Sequence, residues 1–595
     1  MYRKLKSLID VFSKADRIKF YQLQILVLSM TIFQIVSIAS FAPFITMFSD
    51  SSVFESNNYL LKALELSKLT QNQFIFYSGI LVIFLIGISS FSSIVISWKL
   101  YKFSNSLGMN LSTRLLNYYL RQNYLFHVNN SSSFLMKQII IEVRRVGDGI
   151  VTPLIQMIAN TLFVFFVALS LTFYKPVIIF SSGSILLVVY LFIYFFTKNQ
   201  IHSYGQNLTD KSLIRSKITL NSFGGIRDII HMNKQSFFVN KFKSASDSFA
   251  RSQALSTIFS LIPKFIVEFI VLCSIVLILI IFIQPGSESF TEIIPVVVVF
   301  GLLFIKLIPA FQAIFGNLAQ IRSNLPAFDS LQKDLQEMQE LPKPENINNI
   351  LTFNKSIELK NLCYKYPGDR KSVLNGLNLN IKKNSTTGIV GYSGSGKSTL
   401  ADILVGFLEL DEGEILVDGK VLNSFNHDLF SKKVGFVSQS IFLLDASVRE
   451  NIAFGEENAA IDDQKINKAI KQASLDKLLD DLPNGINTEV GERGIQLSGG
   501  QVQRIAIARA LYTECEVLIF DEATSALDGI TEKLILDSIT NLQGTKTIIM
   551  IAHRLTTLNS CDSIYVLDKG LVNDVGDFET LSKNNVIFKK MLNNK

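Results

Sequence analysis

The apolar residues of this chain follow two different spacings, and the change between them divides it into halves. Residues 22–49, 69–98, 149–174 and 176–197 contain no Asp, Glu, Lys or Arg. Residues 252–287 carry only Lys264 and Glu268 as charged groups, and 293–321 only Lys306. Each run exceeds the roughly 20 residues that an α-helix needs to cross a bilayer, so six transmembrane helices are expected. Beyond about residue 353 the pattern turns to short apolar runs alternating with amphipathic stretches, as strands and helices of an α/β domain do. Pro342 and Pro344 stand between the two patterns and end the sixth helix. The expected division is a membrane domain over 1–340, a linker over 341–352 and a second domain over 353–595.

Shorter patterns refine the membrane half. Leu5, Leu8, Ile9 and Phe12 share one helical face, ringed by Arg3, Lys4, Lys6, Lys14, Arg17 and Lys19, which predicts a helix lying along the inner membrane surface. Residues 57–68 predict a short outer helix with Leu60, Leu61 and Leu64 together. Segments 99–148 and 198–251 are polar and helix-patterned, so they are expected to prolong the membrane helices, reversing near 124–131 and 221–229. Both are rich in Lys and Arg, whereas the alternate loops hold only Lys62, Lys68 and Lys175; both termini should therefore face the cytoplasm.

Composition agrees with a membrane protein, at 48% hydrophobic residues and a mean hydropathy of +0.33. The net charge of +7 lies mainly in loops between apolar segments, where topology accounts for it, and nucleic acid is not expected as a partner. Cys273, Cys363, Cys515 and Cys561 are widely separated and form no C-x-x-C pair, so neither a disulfide framework nor a zinc site is implied. No cleavable signal is expected, because the first apolar run is too long for a signal peptide's core.

The second half carries the chemistry. Residues 391–399, Gly-Tyr-Ser-Gly-Ser-Gly-Lys-Ser-Thr, follow an apolar strand-like run and open a helix-like one, the setting a phosphate loop requires. Gly391, Gly394 and Gly396 let backbone N–H groups curl around phosphate oxygens. Lys397 would reach the β and γ phosphates, and the Ser398 hydroxyl would ligate Mg²⁺. Leu497-Ser-Gly-Gly-Gln opens a second helix with Ser498 as N-cap, and Gly499 and Gly500 at its start make another phosphate site. The strand 517–520 ends in Asp521 and Glu522 at the carboxyl edge of a parallel sheet, where Asp521 would hold Mg²⁺ and Glu522 would polarise an attacking water. His553 follows the strand 547–551 to the same edge, Gln439 follows the strand 434–437, and Tyr366 stands before Pro367-Gly368 where a ring can stack on adenine.

With these motifs in this order, residues 355–590 resemble the nucleotide-binding domain of ATP-binding cassette (ABC) transporters. Tyr366 matches the A-loop, 391–399 Walker A, Gln439 the Q-loop, 488–494 the exporter-type segment and 497–501 the signature; 517–522 matches Walker B, 525–528 the D-loop and His553 the switch histidine. The resemblance implies ATP held by Tyr366, Gly391, Ser393, Gly394, Ser395, Gly396, Lys397, Ser398, Thr399, Gln439, Ser498, Gly499, Gly500 and Gln501. It also implies Mg²⁺ at Ser398, Gln439 and Asp521, and hydrolysis by Glu522 and His553. The whole chain is similar to half-size exporters, which implies a homodimer with two composite ATP sites in a bacterial inner membrane. The intact Glu522 and His553 argue against a channel or regulator that only binds ATP. Phe41-Ala-Pro-Phe-Ile-Thr and Phe223-Gly-Gly-Ile-Arg-Asp look similar to PglK-type lipid-linked oligosaccharide flippases, which implies an amphipathic, lipid-linked substrate. An exporter of drugs, peptides or simpler lipids is the alternative. Lys264 and Lys306 are the candidate substrate contacts, because a lysine inside a membrane helix marks a partner or an aqueous path; Glu268, four residues on, is an expected partner for Lys264.

Overall fold

The structure is a computed structural model describing residues 1–49, 58–172, 176–282, 290–338, 352–422, 427–491, 494–522, 529–552 and 554–593. It forms two compact units, one of Met1–Gln122 with Phe126–Lys343 and one of Asn123–Leu125 with Pro344–Lys595.

The first unit is helical: α1 (Tyr2–Val11), α2 (Lys14–Ser49), α3 (Asn58–Ser67), α4 (Gln71–Leu120), α5 (Tyr124–Asn129, whose Tyr124 and Leu125 count with the second unit), α6 (Thr152–Thr172), α7 (Pro176–Gly224), α8 (Ile226–His231), α9 (Gln235–Phe282) and α10 (Phe290–Glu337). Six of these are long, and the 50 residues of α4 make a rod of about 75 Å, over twice the hydrocarbon thickness. Among the described residues four stretches, Lys14–Ile45, Gln71–Leu120, Ser132–Leu169 and Gln235–Ile270, are long and apolar enough to cross a membrane. Their outward faces keep Ile25, Phe84 and Ile94 more than 60% exposed, as lipid contact requires. The largest packed core of this unit among the described residues gathers Leu107, Leu115, Ile150, Ile155 and Phe328, from the polar extensions and the adjoining end of the run 149–174. The reversals expected near 124–131 and 221–229 are the short helices α5 and α8.

The N-terminal helix departs from expectation. Leu5, Leu8, Ile9 and Phe12 pack into this core with Phe328 and Leu335, and Lys4 donates to Asp329 at 2.6 Å, so the apolar face of α1 meets protein and not lipid. A 3.6-residue period states that one face is apolar and leaves open what covers it. The Lys264–Glu268 pair is also absent: both side chains are exposed, and the Lys264 ammonium lies 5.7 Å from the Phe265 ring centre. An exposed i,i+4 ion pair is worth only a few tenths of a kcal/mol, too little to fix two long side chains.

Where α6 continues inward, two π-helical turns, Gln138–Glu142 and Gly147–Val151, flank residues 143–146. They frame a buried ionic cluster in which Glu142, with no exposed surface, meets Lys137 at 3.1 Å and Arg145 at 3.0 Å. Arg145 also donates to Thr209 of α7 at 2.6 Å and to the Ser323 carbonyl of α10 at 3.2 Å. There α7 and α10 touch through Gly205, whose absent Cβ would lie 2.1 Å from the Ser323 oxygen.

The second unit holds two sheets. Strands β1 (Ser356–Tyr364), β2 (Leu374–Lys382), β4 (Glu412–Val417) and β5 (Lys420–Val421) form an antiparallel sheet in the order β2-β1-β4-β5. Strands β3 (Thr386–Gly391), β6 (Val434–Val437), β7 (Val517–Asp521), β8 (Thr547–Ile551), β9 (Ser563–Asp568) and β10 (Leu571–Gly576) form the other, in the order β10-β9-β3-β8-β7-β6. All its neighbours run parallel except β10. β3 and β8 are buried throughout, as central parallel strands covered on both faces are. In this unit the Tyr124 ring stacks on Phe407 with centroids 5.2 Å apart.

Candidate nucleotide site

Parallel pairing aligns the carboxyl ends of β3, β7 and β8, and the loops leaving those ends build the site. β3 ends at Gly391, and α11 (Lys397–Val405) begins six residues later. Gly394 and Gly396 sit at φ +81° and +102°, the left-handed region that turns N–H groups inward. Gly391 permits the close approach that shapes the loop, since a Cβ there would lie 2.4 Å from the Leu567 carbonyl and 2.5 Å from Ser395 Oγ. Ser395 is buried, and its hydroxyl has no hydrogen-bond partner among the described residues. Tyr392, Ser393, Gly394 and Ser398 are exposed at the mouth, and Thr399 is buried beneath.

Lys397 bends back over its own loop, donating to the carbonyls of Gly391 at 2.8 Å and Tyr392 at 3.1 Å. Burial pushes its ammonium below the usual lysine range, against the opposing pull of the Glu522 and Asp521 carboxylates. Asp521 closes β7, and Glu522 follows at φ +51°, its N–H donating to the Ile551 carbonyl of β8 at 3.0 Å. Gln439 donates to Glu522 Oε2 at 2.6 Å, which joins the loop after β6 to the end of β7. Asp402 of α11 lies in the field of Asp521, and burial, then that charge, pushes its carboxyl up to about 6.

Tyr366 turns its hydroxyl to Thr399 Oγ1 at 3.3 Å and packs edge-on against Tyr364. Its loop is tied down by Asp411, which accepts the Lys365 N–H at 2.6 Å. The second glycine-bearing helix is α12 (Gly499–Tyr512). Ser498 caps it, and a capping box closes as Gln501 Oε1 accepts the Ser498 N–H at 2.7 Å. Ser498 and Gly499 are exposed, and among the described residues no hydrogen bond links 498–501 to 391–399. His553 and residues 525–528 lie outside the described residues, as does the Lys306 side chain. Sequence reasoning missed an ion pair made by Arg554, the residue after His553 in the sequence, which reaches back to Glu532 of α13 (Gly529–Thr540). Its sequence signal, an Arg and a Glu 22 residues apart, has no pattern to single it out.

A glycine-lined loop with inward N–H groups, a buried lysine held by replaceable carbonyls, an unpartnered serine hydroxyl and two carboxylates at one sheet edge fit a nucleoside triphosphate. Joined to a bundle of membrane-length helices, they define an ATP-binding membrane protein. Residues 374–525 match the ABC transporter family, and 19–307 match the ABC transporter transmembrane region. An ATP-dependent lipid A-core flippase of Pasteurella multocida (strain Pm70) is 30% identical over 535 residues, 87% of each chain. The heterocyst differentiation ATP-binding protein HepA of Nostoc sp. (strain PCC 7120 / SAG 25.82 / UTEX 2576) is 34% identical over 367 residues, 61% of this chain and 59% of that one. The structure of a bacterial Atm1-family ABC exporter with ATP bound superposes with a TM-score of 0.76 at 21% identity, covering 98% of both chains. The chain belongs to the ABC transporter family, with the exporter-type fold of a transmembrane helical domain and an α/β nucleotide-binding domain.

Proposed function

We propose that this chain is half of an ATP-driven exporter that moves an amphipathic, lipid-like substrate out of the inner leaflet of a bacterial inner membrane. The observation that carries the reading is the convergence of Lys397, Gln439, Asp521 and Glu522 at one sheet edge, in a chain whose other unit has membrane-length helices with exposed apolar faces. Lys397 leaves the Gly391 and Tyr392 carbonyls for the β and γ phosphates, a like-for-like exchange of acceptors. Mg²⁺, when bound through Ser398, Gln439 and Asp521, supplies charge neutralisation at the phosphates. Glu522 then orients the attacking water and takes its proton, with His553 as the γ-phosphate contact.

The capped but exposed start of α12 favours a dimer, in which Ser498, Gly499, Gly500 and Gln501 of one copy close over the phosphate loop of the other. The flippase relative supports a lipid cargo, and within that class a lipid-linked oligosaccharide is our finer reading. Its pyrophosphate must lose hydration on crossing, and Lys306 replaces part of it. Lys264 is exposed without an ion pair among the described residues and is the secondary candidate.

The test is ATPase stimulation in reconstituted vesicles by a lipid-linked oligosaccharide, a lipopolysaccharide-type glycolipid and an amphipathic drug, alongside translocation of each. Stimulation by the drug alone would remove the lipid reading. A Lys306→Gln variant is expected to keep basal hydrolysis and lose pyrophosphate-lipid translocation; unchanged translocation removes the lysine's role.

A further inference from the structure

The outward face of α4 changes character over two turns. Phe84, Phe91 and Ile94 are 63%, 70% and 68% exposed, then Trp98 and Tyr101 are exposed, and beyond them the polar Asn105 and Thr113 share the exposed positions with Met109, Leu116 and Leu120. The exposed aromatic pair stands where the charge-free run 69–98 gives way to Lys99 and Lys102, and it marks the inner boundary of the bilayer. α2 runs antiparallel beside it, with Gln34 donating to Ser93 at 3.1 Å, Phe20 packed on Phe103 at 6.3 Å and Asn110 donating to Asp16 at 3.4 Å. This register sets Tyr21, itself 58% exposed, at the depth of Phe103, between the exposed Ile25 on its membrane side and the exposed Ile18 on its inner side. Two helices far apart in sequence therefore present aromatic rings at one membrane depth.

Around those rings stand Lys14 and Lys19 of α2 and Lys99 and Lys102 of α4, all exposed. Lys102 holds its ammonium 5.1 Å from the Trp98 ring centre, a cation–π contact that sets its charge beside that ring. Among the described residues none of the four has an ion pair. The acids nearby are otherwise engaged: Asp16 is 5% exposed and accepts from Ser13, and Asp10 faces Arg17 at 3.7 Å. Four positive charges without an ion pair among the described residues, spread from the depth of the aromatic rings inward, on a surface already apolar on its outward side, suit a ligand with an anionic head and acyl chains.

We propose that the inner ends of α2 and α4 form a binding surface selective for anionic phospholipid of the inner leaflet, with Lys14, Lys19, Lys99 and Lys102 meeting the phosphates and Tyr21 and Trp98 the glycerol and upper chain region. The selectivity is electrostatic, so it falls as salt is raised.

The chain's single tryptophan is Trp98, so its fluorescence reads this surface and nothing else. Purified protein is placed in mixed phosphatidylglycerol and phosphatidylcholine vesicles in which one lipid or the other, at equal mole fraction, carries brominated chains that quench on contact. Brominated phosphatidylglycerol is expected to quench at least about twofold more strongly than brominated phosphatidylcholine at low salt, with the preference fading toward 1 M salt, where the Debye length is about 3 Å. Replacing the four lysines by Gln is expected to abolish the preference while ATPase in neutral detergent, measured as a folding control, persists. Equal quenching by the two lipids in the wild-type protein overturns the proposal, as does a preference that survives high salt. A preference retained in the folded quadruple variant would overturn the role of these lysines.

Discussion

Glu522 holds a backbone conformation that side chains seldom adopt, at φ +51°, and its carboxylate is already engaged by Gln439 at 2.6 Å. Strain at one residue persists where the surroundings over-determine it, here through the Glu522 N–H bond to Ile551. A Glu522→Gln change keeps the shape and loses the charge that orients water, so ATP binding is expected to survive while steady-state turnover falls by about 100-fold or more. Nucleotide trapping and phosphate release on the same preparation check both halves; near-normal turnover would remove Glu522 from the chemistry. Asp402 gives a second residue-scale outcome. Its folded pKa of about 6 lies above the ordinary value of 3.8, so between the two the folded chain keeps a proton that the unfolded one has lost. Stability therefore falls as pH rises through that window, and the loss is complete above about pH 6. Asp402→Asn removes it: the nucleotide-free variant is expected to melt higher than wild type near pH 8 and almost equally near pH 4. Two pKa units correspond to about 2.7 kcal/mol, and solvent screening of this half-buried group reduces the expected gain to about 1 kcal/mol. No pH-dependent difference in melting would show that Asp402 is not held protonated.

At the scale of elements, α7 and α10 are fixed by what is missing. Gly205 leaves no room for a methyl group against the Ser323 carbonyl, and Arg145 spans the same crossing. Gly205→Ala is expected to part the helices and destabilise the first unit by about 1–3 kcal/mol, the usual effect of overpacking. A melting temperature equal to wild type in detergent would show that the crossing yields freely. Neither Gly205 nor Arg145 is marked in the sequence, because close approach depends on which helix faces which, and a glycine in a polar helical segment reads as a weak point. Periodicity did make other elements legible. β6, β8 and the runs of β3 and β7 stand where short apolar stretches put them, and Ser498 caps its helix as its residue type suggested. α1 was legible as an element and misread as to its partner, since an apolar stripe is the same whether protein or lipid covers it. Tyr366 was placed in the site by its neighbours in sequence, but its bond to Thr399 and the Asp411 tether of its loop are tertiary facts that no local spacing encodes.

For the whole molecule the decisive feature is that one chain holds the phosphate loop and the glycine-started α12 with no described hydrogen bond joining them. If two copies pair about a twofold axis, each site takes Lys397 from one copy and Gly499 from the other. A dimer of one Lys397→Ala copy and one Gly499→Phe copy then gathers both defects into a single site. The second site has an intact Lys397 from the Gly499 variant and an intact Gly499 from the Lys397 variant. Were each copy to use its own two motifs, every site would carry one defect. Differently tagged variants, co-expressed and purified through both tags, separate these arithmetics: composite sites predict one occluded nucleotide per dimer with residual hydrolysis, whereas either homodimer of variants hydrolyses none. Mixed dimers as inactive as the homodimers would place Lys397 and Gly499 in the same chain's site and remove the dimer from the chemistry.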